Sequence, residues 1–76
     1  MFEFVIQDGA PFVGREVRSL GLPPGCILVR CVDGKREWIP RANTRLGAHM
    51  RITAVISPDA ENGIEILRNG CKASAE

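Results

Sequence analysis

The chain has 76 residues, 45% of them hydrophobic and 25% charged, with a net charge of +1. That is one ordinary folded domain, spanning 1–76, and the balance argues against disorder. The near-neutral charge gives no general attraction to nucleic acid or to a membrane surface. No apolar run reaches the ~18–20 residues that a membrane-crossing helix needs, and no signal peptide is read at Met1. The three cysteines, an odd count, do not suggest a disulfide framework and fit a reducing compartment.

Phe2-Glu3-Phe4-Val5-Ile6 is aromatic and β-branched and ends at Asp8-Gly9, so it predicts a strand. Val13, Val17 and Leu20 recur at helical spacing before Gly21, which predicts a helix of about two turns. Leu22-Pro23-Pro24-Gly25 then breaks the chain. Cys26 to Val32 and Lys35 to Ile39 flank Asp33-Gly34, the signature of a hairpin with a two-residue type I′ turn. That turn would set Val32 against Lys35, Arg30 against Glu37, Val29 against Trp38 and Leu28 against Ile39. The charge pair and the packing pair would each contribute ~0.2–1 kcal/mol.

Pro40 ends this strand, and Arg51-Ile52-Thr53-Ala54-Val55-Ile56 predicts another. Ser57-Pro58-Asp59 resembles a helix start, with Ala60, Ile64 and Leu67 as a buried stripe and Asn69-Gly70 as the stop. Gly63 inside it costs about 1 kcal/mol relative to Ala. The competing assignment is a strand over Ile64–Leu67 after an Asn62-Gly63 turn. The expected fold is therefore a small α+β domain: about four strands in a mostly antiparallel or mixed sheet, with two short helices in the order β-α-β-β-β-α. Its ordered core runs over about 2–70, followed by a polar tail at 71–76. Val17, Leu20, Val29, Trp38, Ile52 and Ile56 are expected among the most buried residues.

Catalytic and metal signatures are weak. His49 is the single histidine, and Cys26 and Cys31 lie in an apolar strand, where free cysteine is usually core. Read as a regular strand, their odd separation puts them on opposite faces, unable to share a zinc ion. Asp59, Glu61 and Glu65 fit a solvated helix face better than a calcium site. There is no G-x-G-x-x-G loop, and no basic stripe with interleaved aromatics for nucleic acid. The chain is expected to be no enzyme, to hold no cofactor or metal, and to bind no nucleic acid.

One asymmetry in charge stands out. From Arg41 to Pro58 there are arginines at 41, 45 and 51, with His49 among them and no acid. Guanidinium groups suit phosphate and carboxylate because each can donate two hydrogen bonds at once. Arg41, Asn43, Arg45, His49 and Arg51 are the candidate residues of a small-anion site; a charged, solvated sheet edge is the plainer alternative.

The order of elements carries a further likeness. The segment Val13-Gly14-Arg15-Glu16-Val17-Arg18-Ser19-Leu20, the Leu22-Pro23 step, the Ile39-Pro40 pair closing the hairpin and Thr44-Arg45-Leu46 before the last central strand together resemble the TrkA-C (RCK-C) domain, over about residues 2–68. The family usually carries glycine-aspartate where this chain has His49-Met50, a change that removes a turn-favouring glycine and a carboxylate. The resemblance implies a cytoplasmic regulatory domain of an ion channel or transporter, of potassium or cation type, or of chloride or anion type. It implies pairing into a homodimer, a membrane-embedded portion of the same polypeptide or complex, and a small anionic or nucleotide ligand such as cyclic di-adenosine monophosphate. The alternative is a structural oligomerisation module with no ligand. On the same grounds the chain is expected to be one part of a larger protein.

Overall fold

The computed structural model describes residues 1–73. Four strands, β1 (Phe2–Val5), β2 (Cys26–Asp33), β3 (Arg36–Trp38) and β4 (Arg51–Ile56), form one sheet. All its pairings are antiparallel, in the order β1-β4-β2-β3. One α-helix, α1 (Asn62–Cys71), closes the chain, and single 3-10 turns occupy Val17–Ser19 and Pro58–Ala60. The small α+β architecture is as the sequence indicates, with one true helix in place of two. The Ile64–Leu67 strand alternative is excluded by α1.

The helix expected near residue 17 fails for a backbone reason. Gly14 has φ +82°, a left-handed conformation that a helix cannot contain. The N–H groups that a helix would use internally point elsewhere. Gly14 donates to the Leu46 carbonyl at 2.8 Å, Val17 to Thr44 at 2.9 Å and Arg18 to Ala42 at 2.9 Å. Leu46 returns a bond to Arg15 at 2.9 Å, and Glu16 bridges Arg45. Residues 14–18 and 42–46 thus form an irregular antiparallel ribbon.

The hairpin forms, in a different register. Cys31 opposes Trp38, Val32 opposes Glu37 and Asp33 opposes Arg36. The two-residue turn is therefore Gly34-Lys35. Gly34 has φ +64° while Asp33 and Lys35 have negative φ, the pattern of a type II′ turn. Opposed charges at Asp33 and Arg36 close the ladder. Because the pairing moved by an even two positions, the side chains of β3 keep the predicted alternation against residues 31–33 of β2. Arg30 and Glu37 still meet diagonally at 2.8 Å.

A β-bulge in β2 falsifies the simple alternation. Against β4, Leu28 pairs with Ala54 and Arg30 with Thr53, so Val29 is the extra residue. The bulge resets the alternation, and Cys26, Leu28 and Cys31 all turn to the core. Cys26 and Cys31 therefore share a face, contrary to the expectation from their spacing.

Ile6, Cys31, Ile52 and Leu67 are the most completely buried side chains, with Phe12, Leu20, Leu46 and Met50 around them. Of the residues expected to be most buried, Leu20 and Ile52 are. Val17, Val29, Trp38 and Ile56 are half-buried. Trp38 sits on the short outermost strand, with the Arg36 guanidinium 5.6 Å from its ring centroid, so one side of the indole is covered by a cation instead of by core.

Helix α1 docks through its two glycines, seven residues apart on one face. A Cβ at Gly63 would lie 2.9 Å from the Cys26 sulfur, and one at Gly70 would overlap the Phe12 ring. Ahead of the helix, Ser57 accepts a bond from the Asp59 N–H and caps the Pro58–Ala60 turn. At the other end, Gln7 and Phe12 N–H groups donate to the Cys71 and Gly70 carbonyls at 2.8 and 3.0 Å, supplying partners that a helix C-terminus lacks. Asn69-Gly70, expected as the stop, is inside the helix. Cys71, expected to begin the tail, is its buried last residue. The rest of the expected tail, 74–76, lies outside the described residues.

His49 is the one non-glycine residue with positive φ among those described, at 67°. Its N–H donates to the Ile6 carbonyl at 2.6 Å. Left-handed backbone costs a non-glycine residue roughly 1–2 kcal/mol, of which about 0.4–1 kcal/mol is offset because glycine gains more freedom on unfolding. His49→Gly should therefore stabilise the domain by about 0.5–1 kcal/mol, seen as a rise in Tm. A fall in Tm would contradict the conformation.

Candidate functional site

A cleft of about 310 Å³ opens between the 17–22 turn, the start of β2 and the chain after β3, lined by Val17, Arg18, Gly21, Leu22, Cys26, Ile27, Leu28, Pro40, Arg41 and Ala42. The 14–18/42–46 ribbon positions its two cations. The Arg18 N–H is tied to Ala42, and a turn holds Arg41, whose N–H donates to the Thr44 hydroxyl at 2.8 Å while the Thr44 N–H returns to the Arg41 carbonyl at 3.0 Å. Pro40 cannot extend the ladder, so the chain turns away from the sheet and carries Arg41 to the cleft.

The two guanidinium groups differ. Arg18 is engaged by the Glu16 carboxylate, with both Nε and Nη2 3.0 Å from one oxygen. Arg41 makes no side-chain hydrogen bond or ion pair among the described residues, and its fork remains available to an anion. The rest of the lining is largely apolar. One free cation beside apolar walls is an arrangement for a ligand with a charged group and an apolar body.

The sequence candidates do not converge. Of the five, only Arg41 lines this cleft. Asn43 is exposed in the turn just after it. Arg45 is spent on structure, its Nη1 donating to the Gly14 carbonyl at 2.8 Å. His49 stands at the entry to β4, and Arg51 lies on β4 between Val5 and Val32. Arg18 was missed because it sits outside the acid-free stretch. Its approach to Arg41 depends on pairing between segments more than twenty residues apart, which no local pattern reports.

A second hollow, about 340 Å³, lies beside β1 and the end of α1, lined by Glu3, Phe4, Val5, Gln7, Arg68, Cys71 and Lys72. Its Arg68 is held by Glu65 at 2.7 Å, and Gln7 accepts a bond from the Ala73 N–H at 2.8 Å. The Cys71 thiol is pushed up to about 11 by burial, and burial raises Cys26 and Cys31 as well. At neutral pH all three are thiols, the form that neither attacks an electrophile nor binds metal well. No metal-holding cluster of His, Cys, Asp or Glu occurs among the described residues.

These features define a class: a small antiparallel α+β domain with a cation-bearing surface cleft and buried, protonated cysteines. The chain matches the model of the TrkA-C domain over residues 1–65, and it belongs to that family. TrkA-C domains are regulatory, non-catalytic parts of transport proteins. No helix among the described residues is long and apolar enough to cross a membrane.

The resemblance sets an expected glycine-aspartate pair against His49 and Met50. The backbone at His49 has the φ that glycine prefers. Met50 is buried in the core at 4% exposure, so position 50 offers packing here and no carboxylate.

Proposed function

We propose that this chain is a cytoplasmic sensing and assembly domain of an ion channel or ion transporter, of potassium or cation type or of chloride or anion type. It pairs with a second copy and takes a small anionic or nucleotide ligand, such as cyclic di-adenosine monophosphate, at the Arg41 cleft. The observation that carries this reading is the unpaired Arg41 guanidinium set against the apolar Leu22, Ile27 and Pro40. Arg18 contributes a second positive charge, shared with Glu16. The mechanism is differential binding: a ligand that prefers one relative orientation of two copies stabilises it, and the attached membrane portion follows.

The second reading is assembly without a ligand. The observation that favours it is Met50, which leaves no carboxylate for a family-type contact at that position.

A thermal-shift titration separates the two. Cyclic di-adenosine monophosphate, or another member of a nucleotide and phosphate panel, should raise Tm by mass action. Arg41→Ala should abolish the shift, and Arg45→Ala should leave the ligand dependence in place. No shift with any compound would favour assembly alone.

A further inference from the structure

The cleft presents two unequal cations. Arg18 and Arg41 line it, and no acid does. A carboxylate nevertheless stands just outside the wall: Glu16 holds the Arg18 Nε and Nη2, both 3.0 Å from one oxygen. The ribbon builds this contact. Glu16 is extended, with φ −80° and ψ 151°, and its backbone bridges Arg45. Its carbonyl accepts the Ser19 N–H at 2.9 Å, and two residues on, the Arg18 N–H is tied to the Ala42 carbonyl. Both members of the pair are fixed at the backbone, so only their side chains are free to exchange partners.

Exposure decides which member moves. The Arg18 side chain is 64% exposed and that of Glu16 23%, so the guanidinium swings and the carboxylate stays. With Arg18 engaged, the cleft offers one uncompensated positive charge, at Arg41. A ligand with a single anionic group takes Arg41 and leaves the pair intact. A second anionic group meets the Glu16 carboxylate unless it draws Arg18 away. An exposed ion pair is weak, so that exchange costs a ligand at most about fivefold in affinity. Specificity is commonly built from such a repulsive group set against the disfavoured ligand.

We infer that Glu16 sets the charge selectivity of the Arg41 cleft. It withholds Arg18 from ligands with one anionic group and yields it, at a cost, to ligands with two. The inference rests on the ligand reading proposed above and adds to it a residue outside the cleft wall. Glu16 is a positioning residue, acting on the ligand through Arg18.

The test is calorimetric titration with two probes. Cyclic adenosine monophosphate carries one phosphodiester charge, and cyclic di-adenosine monophosphate carries two. Circular dichroism checks the fold of each variant. Glu16→Gln should tighten the two-charge ligand about three- to fivefold and leave the one-charge ligand nearly unchanged. The gain should vanish in an Arg18→Ala background, because residues that act as a unit are not additive. Glu3→Gln, an equal change in net charge at the other hollow, should alter neither affinity. Three results would each overturn the role of Glu16 and leave the cleft reading standing: equal gains for both ligands, a gain that survives Arg18→Ala, or no gain while Arg41→Ala still abolishes binding. Binding of neither ligand to the native chain or to Glu16→Gln would remove the cleft reading and this inference together.

Discussion

Gly70→Ala should lower the stability of this domain by about 2–3 kcal/mol, whereas the same change in an open helix raises it by ~1 kcal/mol. The reason is the contact between α1 and the 7–12 loop. A methyl group at position 70 would fall within the Phe12 ring, and Phe12 is held on two counts. Its side chain is buried at 5% exposure, and its N–H donates to the Gly70 carbonyl at 3.0 Å. The ring therefore cannot swing aside without losing burial, and the loop cannot back away without losing the bond that satisfies the helix end. Interiors packed to crystal density transmit such a clash instead of absorbing it. In a chain of this length the cost corresponds to a drop in Tm of roughly 10–20 °C. Gly47→Ala, where a Cβ meets nothing within 4 Å, should leave Tm nearly unchanged. A Gly70→Ala protein as stable as the native one would show that Phe12 does not pin the helix.

Leu67→Ala is expected to cost 2–5 kcal/mol, the usual range for removing a buried leucine. Leu67 has no exposed surface, and it lies on α1 between the two glycines that seat the helix. Filling by collapse is restricted because Gly63 and Gly70 already bring the helix into contact with Cys26 and Phe12. Domain stabilities of ~5–15 kcal/mol leave little margin, and chemical denaturation should show a lower midpoint with an unchanged slope. Trp38→Ala should cost less than Leu67→Ala, since Trp38 is half-buried on an outer strand. The reverse order would mean that the core is centred on the hairpin instead of under α1.

Much of the fold was legible because local rules and long-range packing agree. The strands at Phe2, Cys26 and Arg51, the hairpin and the Ser57 start of the last helical segment all carry their own punctuation. The errors fall where non-local partners prevail. The spacing of Val13, Val17 and Leu20 is helical, yet their segment pairs with residues 42–46, and Gly14 in the left-handed region permits it. The bulge at Val29 is set by pairing with β4, so strict alternation misassigned Cys31 relative to Cys26. Asp33-Gly34 pointed to the right loop but the wrong two residues, since the Asp33–Arg36 pairing shifts the turn forward by one. Gly70 looked like a helix stop because glycine so often is one. Its role as a contact surface depends on Phe12, fifty-eight positions away.

The candidate site was legible in part, and for the same reason. Arg41 was identifiable from its place after Ile39-Pro40 in an acid-free stretch, and it does line the cleft. Composition could not show that Arg45 is committed to Gly14, that Arg51 lies on the sheet, or that Arg18 approaches from a separate segment. Three arginines close in sequence are distributed to three places because strand geometry separates them.

The central claim is that an anionic ligand binds at the Arg41 cleft, and nuclear magnetic resonance of the labelled chain titrated with cyclic di-adenosine monophosphate tests it most directly. The account predicts saturable shifts of the backbone amides of Arg18, Leu22, Ile27 and Ala42, all at the cleft, and their loss in Arg41→Ala. Saturable shifts centred instead on Gln7, Arg68 and Lys72 at the second hollow, or equal shifts in native and Arg41→Ala protein, would contradict it.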